Sequence, residues 1–330
     1  MSLSQMMQNV RADTTRLALG LEFIAITTTD NIPSSLGAHQ HGVLFVFAAG
    51  VLWSTVGLGI RLIEEAGVWQ ILLYRSMAMS LFLYVVICFR SGENPFVQLR
   101  RTGLPAVVAA LSLLAAYSGA IYAIQNTSVA NAMLLFATAP FLTAVLAWIV
   151  LREPVRRATW IAIVIALVGI AIMVVDKSGN VVLKGSLAAL GSAFGFAVFT
   201  VALRWGRTSE MLPSVFLSGL FGVIITLAIC QLQGLSLITS LNDGSVAFAM
   251  GIFQVGAGLI LYTIGSRSLP AAELTLLSLA EVLLGPLWVW LFLGETATTN
   301  TLIGGAVLLA AIVGNAMSGQ RRKPPPITGP

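Results

Sequence analysis

The stretch SVANAMLLFATAPFLTAVLAWIV, residues 128–150, decides the fold class because it contains no charged side chain. A helix needs about 20 apolar residues to cross the hydrocarbon core of a bilayer. The whole chain of 330 residues is 57% hydrophobic and 9% charged, and its mean hydropathy is +0.92, whereas soluble domains are about 25% charged. The sequence therefore predicts an all-α membrane protein and argues against a soluble enzyme, a nucleic-acid binder or a disulfide scaffold.

Apolar stretches of this kind recur ten times, with only short connections between them. The predicted spans, numbered 1 to 10 in chain order, are 42–63, 69–89, 104–124, 128–150, 158–175, 185–203, 213–232, 246–266, 270–293 and 299–317. The stretches are continuously apolar rather than alternating, which argues against a membrane β-barrel. Residues 1–41 are predicted to form a polar arm, mobile or lying on the membrane surface, with a targeting segment as the alternative. Residues 318–330 are predicted to be a disordered tail.

The placement of Lys and Arg predicts the orientation of the spans. If the N-terminus is cytoplasmic, the cytoplasmic segments hold Arg11, Arg16, Arg90, Arg100, Arg101, Arg152, Arg156, Arg157, Arg204, Arg207, Arg267, Arg321, Arg322 and Lys323. Only Arg61, Lys177 and Lys184 then fall outside, and Arg75 lies within a span. Because positive charges collect on the cytoplasmic side, both termini are predicted to be cytoplasmic.

The two halves of the chain resemble each other. A shift of 142 residues places Leu134–Met173 on Leu276–Asn315 and pairs Glu153 with Glu295, and a shift of 143 pairs Arg61 with Arg204. Each half holds five spans, 42–175 and 185–317, so the second must be inverted relative to the first. The loop after span 4 is basic, whereas its counterpart after span 9 has no positive charge. Inverted repeats are typical of transporters that bind their substrate between the halves.

The ten spans in two inverted repeats resemble the drug/metabolite transporter superfamily, in particular its EamA-type branch. The residues that carry the resemblance are Gly50–Ser54 in span 1, Tyr74 and Arg75 in span 2, Ser128–Ala132, Pro140 and Leu151–Pro154 around span 4, and Leu269–Glu273, Pro286 and Leu293–Glu295 around span 9. One departure is that Val282, rather than Pro286, matches Pro140. The resemblance implies a carrier that exports small organic metabolites, amino acids or related amphipathic compounds first. It covers about residues 42–317.

Two ionisable residues lie deep within predicted spans, where lipid cannot satisfy them. Glu281 lies near the midplane of span 9, and a carboxyl group at that depth can gain and lose a proton. It is interpreted as a substrate or proton site, the alternative being a neutral side chain that holds helices together. Arg75 could bind an anionic substrate group, pair with Glu64 or Glu65, or extend to the outer interface.

Further candidates are aromatic, amide, hydroxyl and proline residues. The predicted cavity residues are Trp53, Ser54, Tyr117, Tyr122, Asn131, Phe136, Phe199, Gln254 and Tyr262 together with Glu281, and the predicted coupling or gating residues are Glu281, Arg75, Pro140 and Pro286. In the resembled family, spans 1, 3, 4, 6, 8 and 9 surround the cavity. Each aromatic residue is equally compatible with ordinary packing, and a proline within a span removes a backbone donor and can mark a hinge.

The sequence contains no Walker motif and no spacing typical of metal ligands. We therefore expect no catalytic residue, metal or cofactor. The expected partners are a small-molecule substrate and the lipid bilayer of a bacterial inner membrane, with no nucleic acid. An uncoupled facilitator or exchanger and a multidrug efflux carrier stay open as alternatives, with a channel or an intramembrane enzyme more remote. Monomer and homodimer are not distinguished.

Overall fold

The computed structural model describes residues 35–174, 180–206, 211–269 and 271–320. Within them, nine helices are long and apolar enough to cross a membrane, and a further helix, Ala271–Leu293, contains the shorter apolar stretch Leu279–Leu293. These helices follow the predicted order, which confirms an all-α membrane protein with ten helical spans. The arm before residue 35 and the tail after residue 320 lie outside the described residues, so the expectations for them stay predictions.

The bounds of the ten spans agree closely with the apolar stretches. They are Ser35–Ser54 with Val56–Arg61 (span 1), Val68–Ser91 (span 2), Leu104–Asn126 (span 3), Val129–Phe136 with Ala139–Val150 (span 4), Arg157–Val174 (span 5), Asn180–Trp205 (span 6), Leu212–Leu232 (span 7), Leu241–Gly265 (span 8), Ala271–Leu293 (span 9) and Thr299–Gln320 (span 10). Span 1 begins before the predicted Gly42, and span 8 begins before the predicted Val246.

Local side-chain chemistry sets where the helices begin. The Ser128 hydroxyl accepts a hydrogen bond from the Asn131 amide (3.2 Å) and caps span 4. The Ser240 hydroxyl caps span 8 in the same way through the Asp243 amide (3.1 Å). Asn94 caps a short helix, Pro95–Thr102, between spans 2 and 3, which the sequence reading missed. These caps satisfy amide groups that have no partner within the helix.

Small residues let some spans approach closely. A Cβ atom placed on Gly195 of span 6 would lie 2.8 Å from the carbonyl oxygen of Ser112 in span 3, so only glycine fits there. Gly191, the other glycine of that GxxxG pair, has no atom within 4 Å of its Cβ position. Gly169 of span 5 and Gly304 of span 10 also face each other's backbone. Such close contacts are typical of helix packing in membranes.

The bundle has two ends, named here after an arginine at each. Among the described residues, the Arg61 end carries the connections that follow spans 1, 3, 7 and 9, and the Arg204 end carries those that follow spans 2 and 4. At the Arg61 end, side chains from spans 1, 4 and 9 pack into one buried apolar cluster that includes Ile60, Val129 and Val289.

Candidate functional site

Glu281 lies on the face of span 9 that packs against span 1. A Cβ atom placed on Gly50 would lie 3.8 Å from the Glu281 amide nitrogen. Two turns later, the Trp288 indole nitrogen donates a hydrogen bond to the Ser54 hydroxyl (2.8 Å). Positions 281 and 288 share one helix face, because seven residues make almost two turns. Span 9 therefore presents Glu281 beside the middle of span 1.

The Glu281 carboxyl group is half-buried and makes no hydrogen bond or ion pair with the described residues. An ionised carboxylate without a partner at this depth is costly, so intramembrane carboxyl groups usually face a cavity or a partner. The structure thus leaves Glu281 available to a proton or to a donor group on a ligand.

Spans 1 and 8 meet through an aromatic pair beside an interrupted hydrogen-bond pattern. The rings of Trp53 and Tyr262 lie 5.3 Å apart, and Gly258 leaves room for the indole. The Gln254 side-chain nitrogen donates to the Trp53 carbonyl (3.3 Å), while its Oε1 atom is buried without a partner. Gln254 lies in a π-helical segment, Met250–Ala257. Segments of this type occur frequently at functional sites.

The middle of span 1 is therefore the element that connects the candidate residues. It contacts span 9 through Gly50 and Ser54, and it contacts span 8 through Trp53. Its helix is also interrupted at Thr55, where the Ser54 and Thr55 hydroxyls each donate 2.7 Å hydrogen bonds to carbonyls three residues earlier. This interruption was not predicted, since no proline or glycine occupies position 55.

Arg75 does not pair with Glu64 or Glu65 in the structure, and it does not extend to an interface. Its side chain is 5% exposed and its guanidinium lies over the ring of Tyr117, 4.6 Å from the ring centre. The Nε atom is buried and has no hydrogen-bond partner. The amides of Glu64 and Glu65 instead donate to the carboxylate of Asp243. Arg75 is thus a buried cation stacked on an aromatic ring.

The remaining predicted cavity residues are not gathered beside Glu281 by any observed contact. Asn131 is buried and donates to Ser186 (2.8 Å) and Thr127 (3.0 Å), so its amide group ties span 4 to span 6. Phe199 is buried in an apolar cluster formed by spans 2, 3, 6, 7 and 8. Phe136 packs against the cluster that includes Ile60, and Tyr122 is 37% exposed. For Phe136 and Phe199 the contacts favour packing, whereas the Asn131 Oδ1 atom is buried without a hydrogen-bond partner.

The two intramembrane prolines differ in their effect. Span 4 is interrupted at Ala137 and Thr138, directly before Pro140, because proline cannot donate the next backbone hydrogen bond. Span 9, in contrast, is an unbroken helix across Pro286. A proline thus coincides with a helix interruption in span 4 only, and a second interruption lies at Thr55 of span 1. The hinge roles of Pro140 and Pro286 stay predictions.

No group of three or more His, Cys, Asp or Glu side chains that could hold a metal ion occurs among residues 35–174, 180–206, 211–269 and 271–320. Cys88 and Cys230 are free thiols. Near the middle of span 1, the polar groups that could bind a ligand are the Glu281 carboxyl group, the Gln254 Oε1 atom and the Tyr262 phenol.

Comparison with known proteins agrees with this architecture. The model of the EamA-like transporter family matches the chain twice, over residues 40–175 and 183–317. The protein named "Uncharacterized transporter YwfM" of Bacillus subtilis is 26% identical over 281 residues, which are 82% of this chain and 92% of that protein. Protein RarD of Salmonella typhimurium is 24% identical over 86% of this chain and 98% of its own. Human solute carrier family 35 member G1 is 22% identical over 84% and 79%.

A solved crystal structure superposes with a TM-score of 0.60 at 18% identity, covering 86% of this chain and all of that chain. This likeness supports the fold alone. The family match covers most of the chain, and relatives are named as transporters, which points to a transporter and not to an enzyme. The chain therefore belongs to the EamA-like transporter family of the drug/metabolite transporter superfamily, and it is a multi-pass membrane transporter.

Proposed function

We propose that this transporter works by alternating access and exports small amphipathic metabolites, with amino acids as the first candidates and Glu281 as the residue that binds the substrate or a proton. The observation that carries the proposal is the half-buried Glu281 carboxyl group, which has no partner among the described residues and lies against the middle of span 1. A group that bound or released a proton there would change charge in the middle of the bundle.

The neighbouring groups favour a ligand with both apolar surface and donor groups. The stacked rings of Trp53 and Tyr262 offer an apolar surface. The unpaired Oε1 atom of Gln254 and the Glu281 carboxylate both accept hydrogen bonds. An ammonium group donates up to three hydrogen bonds, so an amino acid or another amphipathic amine matches this chemistry better than a sugar or a phosphate.

Alternating access is supported by the places where helices are interrupted. Span 1 is interrupted at Thr55, span 4 at Ala137–Thr138, and span 8 contains the π-helical segment Met250–Ala257. Transporters commonly use discontinuous spans near the midplane to bind substrates and to move one repeat relative to the other.

The predicted orientation places the Arg61 end outside a bacterial inner membrane and both termini in the cytoplasm. The Arg204 end carries most of the Lys and Arg residues that lie outside the spans. A reporter enzyme that is active only outside the cytoplasm, fused after Pro330, should be inactive, whereas the same reporter inserted after Gly234 should be active. The opposite pattern would reverse the orientation.

The central experiment is uptake of labelled amino acids into proteoliposomes, with and without a pH gradient. We expect saturable transport that the gradient accelerates in the wild type and that Glu281→Gln abolishes or makes insensitive to the gradient. Glu64→Gln is the matched control, because the Glu64 side chain is exposed in the connection after span 1. It should transport like the wild type.

Three other results would each change the proposal. Equal saturable transport by the wild type and Glu281→Gln would make Glu281 structural and the protein an uncoupled facilitator or exchanger. Transport of apolar cations but of no amino acid would favour multidrug efflux. Flux that does not saturate would favour a channel over a carrier.

A further inference from the structure

Two Arg–Glu ion pairs lie at opposite ends of the bundle. At the Arg61 end, Arg61 Nε lies 2.8 Å from Glu295 Oε2. At the Arg204 end, Arg204 Nη2 lies 2.8 Å from Glu153 Oε2. Each arginine lies at the end of the first span of one half, and each glutamate lies in the loop after the fourth span of the other half.

The internal repeat relates these four residues to one another. The shift of 143 places Arg61 on Arg204, and the shift of 142 places Glu153 on Glu295. Each pair thus connects the two halves. In one pair the first half supplies the arginine and the second half the glutamate, and in the other pair these contributions are reversed. An inverted repeat moves such equivalent contacts to opposite faces of the membrane.

The loops that present the two glutamates have the same local geometry. Arg152 and Gly294 directly precede Glu153 and Glu295, and both have a left-handed backbone, with φ of 56° and 67°. The Glu153 amide donates to the Ala147 carbonyl and the Glu295 amide to the Val289 carbonyl, each at 3.2 Å and six residues back. Arg152 is the only non-glycine residue with positive φ in the described part of the chain, although arginine is disfavoured in this conformation.

The pair at the Arg61 end is the more strongly held in this conformation. Glu295 also accepts a hydrogen bond from the Val129 amide (2.7 Å), and Arg61 also donates to the Thr127 carbonyl (2.8 Å). The pair therefore fastens span 1, the start of span 4 and the loop after span 9. The Arg61 and Glu295 side chains are 26% and 22% exposed, against 50% and 40% for Arg204 and Glu153.

We infer that Arg61–Glu295 and Arg204–Glu153 are the gating contacts of the transport cycle, each of which must break when its own end of the bundle opens. The inference rests on the proposed alternating-access function. Weakening one pair then favours opening at that end, and weakening the other favours opening at the opposite end. Two pairs that merely hold the fold together would have no such opposite effects.

Thiol labelling tests this directly and needs no substrate. Val56→Cys places a thiol in the buried cluster of the Arg61 end, where Val56 is 8% exposed, in a background that carries Cys88→Ser and Cys230→Ala. In detergent solution the reagent reaches both ends, so the result does not depend on membrane orientation. Glu295→Gln should raise the labelling rate on the order of tenfold, because charged hydrogen bonds are lost. Glu153→Gln should lower it.

Glu93→Gln is the matched control, since Glu93 forms an exposed ion pair with Arg101 (3.0 Å) within one connection and does not join the halves. It should leave the labelling rate unchanged. Equal changes of the same sign in Glu295→Gln and Glu153→Gln, or no change in either, would overturn the inference. If Glu295→Gln does not fold, Arg204→Gln must lower labelling as Glu153→Gln does. A protein that labels as expected but transports no amino acid contradicts the proposed substrate class and leaves the gating contacts intact.

Discussion

Asp243 offers the strongest test of how the Arg61 end is built. Its carboxylate is 1% exposed and accepts hydrogen bonds from three consecutive backbone amides, those of Glu64 (3.2 Å), Glu65 (3.0 Å) and Ala66 (2.9 Å). It therefore fastens the start of span 8 to the connection between spans 1 and 2. Replacing Asp243 with Ala removes both acceptor oxygens, and with them all three hydrogen bonds, and adds no atom that could clash.

The loss of stability depends on whether each of the three amides can bind water once the carboxylate is removed. A hydrogen bond to a charged group contributes about 1.5–3 kcal/mol, and an unsatisfied buried donor costs about 1–3 kcal/mol. Glu64 and Glu65 are exposed, so their amides can bind water instead, whereas Ala66 is 7% exposed. We therefore expect Asp243→Ala to lower the free energy of unfolding by about 3 kcal/mol, less than the sum of three bonds.

The measurement is the thermal unfolding midpoint in detergent. With about 2.1 cal/mol/K of unfolding entropy per residue and 330 residues, a loss of about 3 kcal/mol lowers the midpoint by roughly 4 °C. Asp243→Asn keeps one acceptor oxygen and should lose about half as much. Glu65→Ala is the control, because only its backbone takes part and its side chain is exposed. A midpoint for Asp243→Ala equal to that of Glu65→Ala would refute the reasoning.

Three further changes test individual packing arguments by thermal unfolding and by the yield of folded protein in detergent. Gly195→Leu should largely prevent folding, since even its Cβ atom would lie 2.8 Å from a backbone oxygen. Gly191→Leu should fold normally because its Cβ position is open. Similar yields for the two variants would contradict the packing of spans 3 and 6. Arg152→Gly should raise stability by about 1 kcal/mol by relieving a left-handed arginine. Arg75→Met should raise stability by about 1–3 kcal/mol, because it removes a buried charge that has no carboxylate partner among the described residues; a lower midpoint would indicate that the stack on Tyr117 outweighs the cost of burial.

The span boundaries were predictable because bilayer thickness fixes how long an apolar stretch must be. Span 3, predicted as 104–124, is the helix Leu104–Asn126. Interruptions inside spans were harder to predict. Pro140 indicates the interruption in span 4, whereas the interruption at Thr55 and the π-helical segment Met250–Ala257 were not predicted.

Individual residues of the candidate site could be predicted from the sequence, but which of them lie close together could not. Glu281 stood out because an acidic residue in a long apolar stretch is rare. The sequence did not show which residues lie beside it, since Gly50 is more than 200 residues away in the chain and meets span 9 only in the folded bundle. The same applies to Arg75, for which the sequence suggested a carboxylate partner and the structure supplies the ring of Tyr117.

The loops after span 4 and span 9 differ in charge, and their sequences must meet two requirements: the orientation in the membrane and the ion pairs between the halves. The loop after span 4 contains Arg152, Arg156 and Arg157, as a cytoplasmic loop favours, whereas the equivalent loop after span 9 contains no positive charge. Both loops nevertheless contain a glutamate at the equivalent position, and both glutamates pair with an equivalent arginine. The proposed orientation would account for the charges that differ between the loops, and pairing across the halves accounts for the charge that they share. Arg152 shows the two requirements in conflict, because it adds a positive charge at a left-handed position where the other repeat has glycine.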